Sequence, residues 1–429
     1  MIKKYEHYKD SGVEWLGDIP EHWETRRIKY IFNEINERSE DGNEDLLSVS
    51  QYTGVTNKSD KVEAGGMLTN AETLEGYKKV SKGDLVSNIM LAWNGSLGFS
   101  PFNGITSPAY SIYRIYGENN NRYFHYLLRT ELYKAEFKRN SSGVIESRLR
   151  LYTDDFFKIE AILLFFPEQT AIAQFLDDKT TKIDQAIAIK QQQIALLKER
   201  KQILIHKAVT RGLNDKVALK DSGVEWIGKI PEHWEVKKLK FATKIFRGKF
   251  THRPRNDERM YDGEYPFFQT GDVARAGKYL SLFKQTLNEK GLRVSTLFPK
   301  GTIVITIAAN IGDISILDID ACFPDSIVGF EPNNFIEKHF LYNSLLVMKE
   351  QFMSSTIKNT QMNLNVDRIG SNSIAIPPLS EQKEIANYIE TASAKIETAI
   401  SIKEQEIEKL QEYKSSLINS VVTGKVKVC

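Results

Sequence analysis

The sequence predicts a mixed α/β (α+β) fold built as an internal duplication, in which two tandem domains are each followed by one long helix. Three observations predict it. Residues 9–24 read KDSGVEWLGDIPEHWE and residues 220–235 read KDSGVEWIGKIPEHWE, with fourteen of sixteen positions identical at an offset of 211. Two segments, the first without Gly or Pro before its end, carry apolar residues at helical intervals, and they match each other at an offset of 213. Between motif and helix, each half holds short alternating, β-branched segments. The pattern is a tandem repeat of nearly equal halves. Boundaries read as 1–166 and 214–379 for the two domains, and 167–213 and 380–429 for the two helices.

Taken in order, the N-terminal motif invites a catalytic reading. Glu14, Glu21 and His22, with Glu225, Glu232 and His233, are residue types that serve as acid–base pairs or metal ligands. The better reading is structural. Trp15, Trp23, Trp226 and Trp234 are buried anchors, and the glycines and proline shape a turn. The motif then fixes where the chain joins each domain, against the paired helices.

Basic strand starts follow, Arg26-Arg27-Ile28-Lys29 and Lys237-Lys238-Leu239-Lys240. In the first body, segments 47–52, 84–90, 110–116 and 158–166 read as strands. In the second, 266–270, 301–308, 313–319, 326–330 and 373–376 do so. An amphipathic helix precedes the last strand of each body, marked by Phe124, Leu127, Leu128 and Leu132, and by Ile336, Phe340, Leu341, Leu345, Met348 and Phe352. The halves agree at Lys82-Gly83 and Lys300-Gly301, at Gln51 and Gln269, and at Leu151 and Leu364. They disagree in their loops. Residues 37–45 are strongly acidic, whereas the approximate counterpart, 247–259, holds five Arg or Lys.

The first long helix begins after Pro167 and carries Ile172, Phe175, Leu176, Ile183, Ile187, Ile194, Leu197, Leu204 and Ala208 on one seam. The second carries Ile385, Tyr388, Ile389, Ile396, Ile400, Ile407, Leu410, Leu417 and Val421. Even the polar interruptions match, Lys190 with Lys403 and Lys201 with Lys414. Unbroken, each helix spans roughly 65 Å. A lone helix cannot bury such a stripe, so the two are expected to pair.

Composition narrows the function. With 429 residues, two or three domains can each bury a core. A net charge of +2 requires any nucleic-acid role to rest on local basic patches. Cys322 and Cys429 alone exclude a disulfide framework or a cysteine-rich zinc site. The first residues lack the apolar core of a signal peptide, and apolar runs such as 161–166 are too short to cross a bilayer. A cytoplasmic protein is expected.

The search for catalysis finds little. There is no phosphate-cradling loop ending in Gly-Lys-Ser/Thr and no dinucleotide fingerprint. Ser107-Pro108-Ala109-Tyr110 and Ile376-Pro377-Pro378-Leu379 lack the Asn or Asp that opens the Asn/Asp-Pro-Pro-Tyr/Phe segment of an amino-methyltransferase. Pro324-Asp325 with Glu381-Gln382-Lys383 superficially suits a metal-dependent nuclease, but Glu381 opens a helix, where a carboxylate complements the dipole. Its duplicate, Glu168-Gln169-Thr170, lacks the lysine. The sequence therefore predicts no catalytic and no metal-binding residues.

Nucleic-acid binding has the better case. Arg can bind guanine bidentately, and Asn or Gln can do the same for adenine. The candidates in the first body are Gln51, Tyr52, Lys78, Lys79, Asn94, Arg148 and Arg150. In the second they are Lys249, Arg253, Arg255, Gln269, Asn310, Lys358, Asn359, Gln361 and Asn363.

These features together resemble a known family. The doubled Gly-Val-Glu-Trp…Ile-Pro-Glu-His-Trp motif, the Gln-Thr-Gly-Asp-Val segment at 269–273 and the Pro-Pro-Leu-Ser-Glu-Gln segment at 377–382 resemble those of DNA specificity subunits of type I restriction–modification systems. The resemblance covers essentially the whole chain. It implies two target-recognition domains, each reading one half of a bipartite double-stranded DNA site, with two antiparallel coiled-coil helices as the spacer. It further implies a subunit without an active site or cofactor of its own. Two modification subunits would bring S-adenosylmethionine and adenine methylation, and two restriction subunits ATP- and magnesium-dependent translocation and cutting. The first copy departs from the pattern, with Leu164-Phe165-Phe166-Pro167-Glu168-Gln169 in place of Pro-Pro-Leu-Ser-Glu-Gln. The alternative is a helical adaptor that binds two proteins, and less so an autonomous nuclease or methyltransferase. Sequence-specific DNA binding that requires a methyltransferase partner separates these.

Overall fold

Both long helices form. The computed structural model describes residues 3–59, 71, 73–308, 311–354 and 364–428, and the helices run over Phe166–Arg211 and Leu379–Val422. Pro167 sits in the first turn of one and Pro378 just before the other, where no amide donor is needed. Each helix is followed by a glycine in the left-handed region, Gly212 at φ +73° and Gly424 at φ +77°. A Cβ at either glycine would also crowd the motif, lying 3.1 Å from Trp234 at Gly212, and at Gly424 2.3 Å from Pro20 and 3.0 Å from Trp23. The second helix was expected to run to residue 429. It stops at Val422, and the chain turns so that the Lys427 amide donates to the Lys3 carbonyl at 2.9 Å.

The chain divides into two compact units, Met1–Lys190 with Glu404–Cys429, and Gln191–Lys403. Each unit therefore contains one body and a length of both long helices. Within the first, Lys414 bonds Asp184 at 2.7 Å and Lys190 bonds Glu406 at 2.6 Å, a ladder of antiparallel sense. Within the second, Lys201 bonds Glu397 at 2.6 Å. The repeat relates Lys201–Glu397 to Lys414–Asp184, so the lysines that interrupt the seam are its cross-helix ties. These pairs are partly exposed, and each contributes modest stability. They help to set register, while Ile172, Leu176, Ile385 and Ile389 supply the buried area.

The two bodies share a scaffold. In the first, an antiparallel sheet runs in the order Phe32–Ile35, Tyr110–Ile115, Leu85–Asn88, Leu97–Phe99. In the second, Thr243–Arg247, Ile327–Pro332, Ile303–Thr306 and Ile314–Leu317 repeat that order, and Tyr279–Leu280 adds a parallel edge. Two of the three predicted landmarks coincide, whereas Gln51 lies in a hairpin turn and Gln269 at a helix start. Gly83 and Gly301 turn at φ +93° and +92°, and the amides of Leu151 and Leu364 bond the carbonyls of Ile89 and Ile307. What is added to the scaffold differs. The first body carries the hairpin Leu47–Ser50/Gly54–Asn57, and the second a separate four-stranded sheet that includes Tyr261–Phe267.

Two sequence-based expectations shift. The strand expected over 266–270 ends at Phe267, and a helix Thr270–Arg275 follows, with the Asp272 carboxylate accepting the Gln269 amide at 2.8 Å. Thr-Gly-Asp there acts as a helix start rather than as strand. The single amphipathic helix expected in each body is two: Asn121–Leu127 and Glu131–Arg139 in the first, where Thr130 caps the latter, and Lys338–Val347 and Lys349–Ser354 in the second.

The motif is structural, as predicted. Trp23 and Trp234 are fully buried, Trp23 in a core with Val421 and Val422, and Trp234 in one with Ala208 and Val209, whereas Trp15 and Trp226, expected to be buried too, are only partly so at the edges of these cores. His22 pairs with Glu168 at 2.9 Å, and His233 with Glu381 at 3.2 Å. Trp234 Nε1 donates to Glu381 at 2.6 Å, whereas in the first unit the Tyr5 hydroxyl donates to Glu168 at 2.8 Å. The glutamine beside each glutamate is fully buried. Gln169 accepts the Asn120 amide at 2.7 Å and donates to the Leu164 carbonyl at 2.8 Å. Gln382 accepts the Glu337 amide at 2.7 Å and donates to the carbonyls of Phe335 and Pro377 at 2.9 and 2.8 Å. Each Glu-Gln pair thus fastens motif, body helix and long helix at one point.

Candidate nucleic-acid interface

In the first body, Gln51 and Tyr52 form the turn of the added hairpin, and Tyr52 is 82% exposed. Arg129, which sequence reasoning missed, holds that turn. Its Nη2 donates to the Gln51 carbonyl at 2.6 Å and its Nη1 to the Leu97 carbonyl at 2.7 Å. Burial lowers the Arg129 pKa, with Arg122 adding to the shift, so this guanidinium is spent on carbonyls inside the fold rather than offered to a ligand. Asn94 is exposed at the end of a 3-10 turn. Arg148 and Arg150 are exposed on one short stretch, tied down by the backbone bridge between Ser142 and Arg150.

The neighbours Lys78 and Lys79 part company. Lys78 is only 8% exposed on strand Lys78–Val80, and burial pushes its pKa down. Lys79 points the other way and lies 3.6 Å from Glu44, inside the acidic loop. That loop is also locally ordered, with Glu44 bonded to the Ser39 hydroxyl at 2.5 Å. Of the two lysines, only Lys79 presents its cation at the surface. The alternation of a strand decides this.

The second body's basic loop is built, not loose. Phe250, 3% exposed, anchors it in a small core with Phe267, Leu287 and Cys322. Asp257 is its hub. It receives Arg259 through both Nε and Nη2, at 2.9 and 2.7 Å, and His252 at 2.7 Å. The Arg259 bonds foremost, then His252, hold the Asp257 carboxyl far below the usual carboxylate range. Arg253 donates to the carbonyls of Phe250 and His252, each at 2.8 Å, and Arg255 bonds Asp325 at 2.5 Å. Both guanidiniums remain exposed. Lys249 is exposed at the start of the loop. Gln269 begins the helix Thr270–Arg275 and donates to the Gln285 side chain at 3.1 Å. Asn310, Lys358, Asn359, Gln361 and Asn363 lie outside the described residues.

His252, Asp257, Arg259 and Asp325 were not singled out as ordering groups. The available signal was the alternation of Arg, Asp and Glu within 253–259, which favours internal pairing over a uniform positive field. The residues weighed for a nuclease are otherwise engaged, Asp325 with Arg255 and Glu381 with His233 and Trp234. Among the described residues no group of His, Cys, Asp or Glu could hold a metal ion, and no helix is long and apolar enough to cross a membrane.

Known proteins show related sequences and folds. The family described as "Type I restriction modification DNA specificity domain" matches residues 231–411. The putative type I restriction enzyme MjaX specificity subunit of Methanocaldococcus jannaschii is 26% identical over 100% of both chains. The MjaVIII specificity subunit from the same organism is 25% identical over 100% of this chain and 99% of its own. Among solved structures, a chain from a study of complex assembly and conformational transition in a type I R-M system superposes with a TM-score of 0.73. It is 13% identical and the match covers 94% of this chain and 98% of that one.

Proposed function

We propose, from the premise that this chain belongs to the family of DNA specificity subunits of type I restriction–modification systems, that it reads a bipartite double-stranded DNA site and directs modification and restriction subunits to it. The observation that carries the reading is one scaffold used twice with unlike additions. A repeated fold with an acidic, hairpin-bearing face in one copy and an ordered cationic loop in the other suits two readers of different half-sites.

The chain itself is non-catalytic in this reading. The chemistry belongs to its partners, two modification subunits that bind S-adenosylmethionine and two restriction subunits that use ATP and magnesium. In the first body, Tyr52, Lys79, Asn94, Arg148 and Arg150 are the proposed DNA contacts, with the Gln51 amide beside them. In the second, Lys249, Arg253, Arg255 and Gln269 are, with Asn310, Lys358, Asn359, Gln361 and Asn363 retained from the sequence. The paired helices set the unread gap between half-sites.

Methylated-base sequencing of cells expressing this chain with its modification subunit tests the proposal. A motif of two short half-sites with an unread gap is expected. Four residues inserted after both Ala195 and Glu408 lengthen each helix by about 6 Å, against about 3.4 Å per base pair, so the gap grows by about one or two base pairs while the half-sites stay the same. A contiguous motif, or an unchanged gap in a methylation-competent complex, refutes it.

A further inference from the structure

The joint between body and long helix is built twice but completed once. In the first unit, Arg122 Nε donates to Asp177 Oδ1 at 2.6 Å. The Tyr126 hydroxyl donates to the same oxygen at 2.6 Å and lies 3.1 Å from Thr180 Oγ1. The guanidinium also sits 4.9 Å from the Tyr126 ring centre. Two side chains of helix Asn121–Leu127 are thereby locked onto two of the first long helix.

The second unit aligns residue for residue. The amides of Asn120 and Glu337 bond Gln169 and Gln382, which places Arg122 opposite His339 and Tyr126 opposite Asn343. On the long helices, Asp177 and Thr180 correspond to Glu390 and Ser393. The described residues do not reproduce the network there. His339 Nδ1 and Ser393 Oγ are buried without a hydrogen-bond partner. A cleft of about 600 Å³ opens beside Ser393, lined also by Lys278, Tyr342, Asn343 and Glu390 among others. Glu390 is held instead by Lys278, whose ammonium also lies over the rings of Tyr279 and Tyr342.

The exchange is not neutral. A guanidinium offers a rigid, planar fork, and lysine a point charge on a flexible stem. An orphaned buried donor or acceptor gives up its hydrogen bond. The apolar seam of Phe340, Ile385 and Ile389 remains, so the helix stays docked. We infer that the second joint is a swivel, at which helix Lys338–Val347 rocks on its apolar seam against the second long helix, held at its start by Gln382, while the corresponding joint of the first unit is pinned.

Hydrogen exchange on the full chain tests this, independently of any DNA reading. Amides of 338–347 are expected to exchange about tenfold or more faster than those of 121–127 after correction for sequence, the scale of one charge-assisted hydrogen bond. Grafting the first joint into the second, with His339→Arg, Asn343→Tyr, Glu390→Asp and Ser393→Thr, should slow exchange in 338–347 by a similar factor. The reverse pair, Arg122→His with Tyr126→Asn, should speed exchange in 121–127. Equal exchange of the two helices in the wild type overturns the inference, as does a folded graft without slowing. If the graft does not fold, an unchanged rate at 121–127 in the reverse pair overturns it.

Discussion

Replacing Gln382 by leucine removes three hydrogen bonds at nearly constant volume. The side chain is fully buried and joins the Glu337 amide to the carbonyls of Phe335 and Pro377. The bond to Pro377 is wholly buried, so its loss leaves an acceptor that water does not reach, at about 2 kcal/mol. The other two are partly buried and can be rehydrated, at about 0.5 kcal/mol each, for a sum near 3 kcal/mol. With a urea dependence of about 2.5 kcal/mol per molar, the midpoint of the second unit's transition falls by about 1 M. Hydrogen exchange over 338–347 assigns the loss to this joint. Gln382→Glu makes the reasoning sharper. A carboxylate cannot donate to two carbonyls, so burial holds the acid protonated in the fold. Its folded pKa then lies above its unfolded one, and stability is lost as the pH rises above about 4. Gln169→Leu should do in the first unit what Gln382→Leu does in the second. A midpoint shift below about 0.2 M in a folded Gln382→Leu protein would show that the glutamine is not a fastening point.

Arg253→Ala and Arg255→Ala act on the proposed interface. The one that reads a base relaxes a single position of one half-site by about 1–3 kcal/mol, and the one on a phosphate weakens all sequences alike and lowers the salt slope by about 1, both read from binding isotherms of the assembled complex. A double variant with wild-type affinity, specificity and salt dependence removes this loop from the interface. His125 gives the first unit a pH dependence. Burial foremost, then the nearby Arg129 and Arg122, lowers its pKa to about 3. The folded pKa lies below the unfolded one, so the unfolded state takes up the proton first, and stability present above about pH 6.5 is lost as the pH falls toward 3. Urea midpoints measured between pH 7 and 4 should fall less in His125→Gln than in the wild type, and parallel curves would refute it.

How much was legible in the sequence follows from which interactions are local. Periodicity announced both long helices because every turn of a seam must present apolar residues to its partner, but the end of the second was missed, since it stops at Val422 before the left-handed Gly424. The doubled motif announced the duplication, and of its four tryptophans Trp23 and Trp234 are the fully buried ones. Side-chain fate was another matter. Lys78 and Lys79 are adjacent and identical, yet the pleat buries one and exposes the other. Arg253, Arg255 and Arg259 look alike in the chain, and only the folded loop assigns each to a carbonyl, to Asp325 or to Asp257. Gln169 and Gln382 read as polar helix-start residues. Their role lies in carbonyls and amides up to tens of residues away, which no local pattern encodes. The sequence by itself therefore determined the repeat, the helices and the place of the anchors, because those rest on spacing along the chain. Which of the polar residues hold the fold, and which remain to meet a ligand, only the tertiary structure decided, because a hydrogen bond is made or lost within a few tenths of an ångström, a distance that spacing along the chain does not fix.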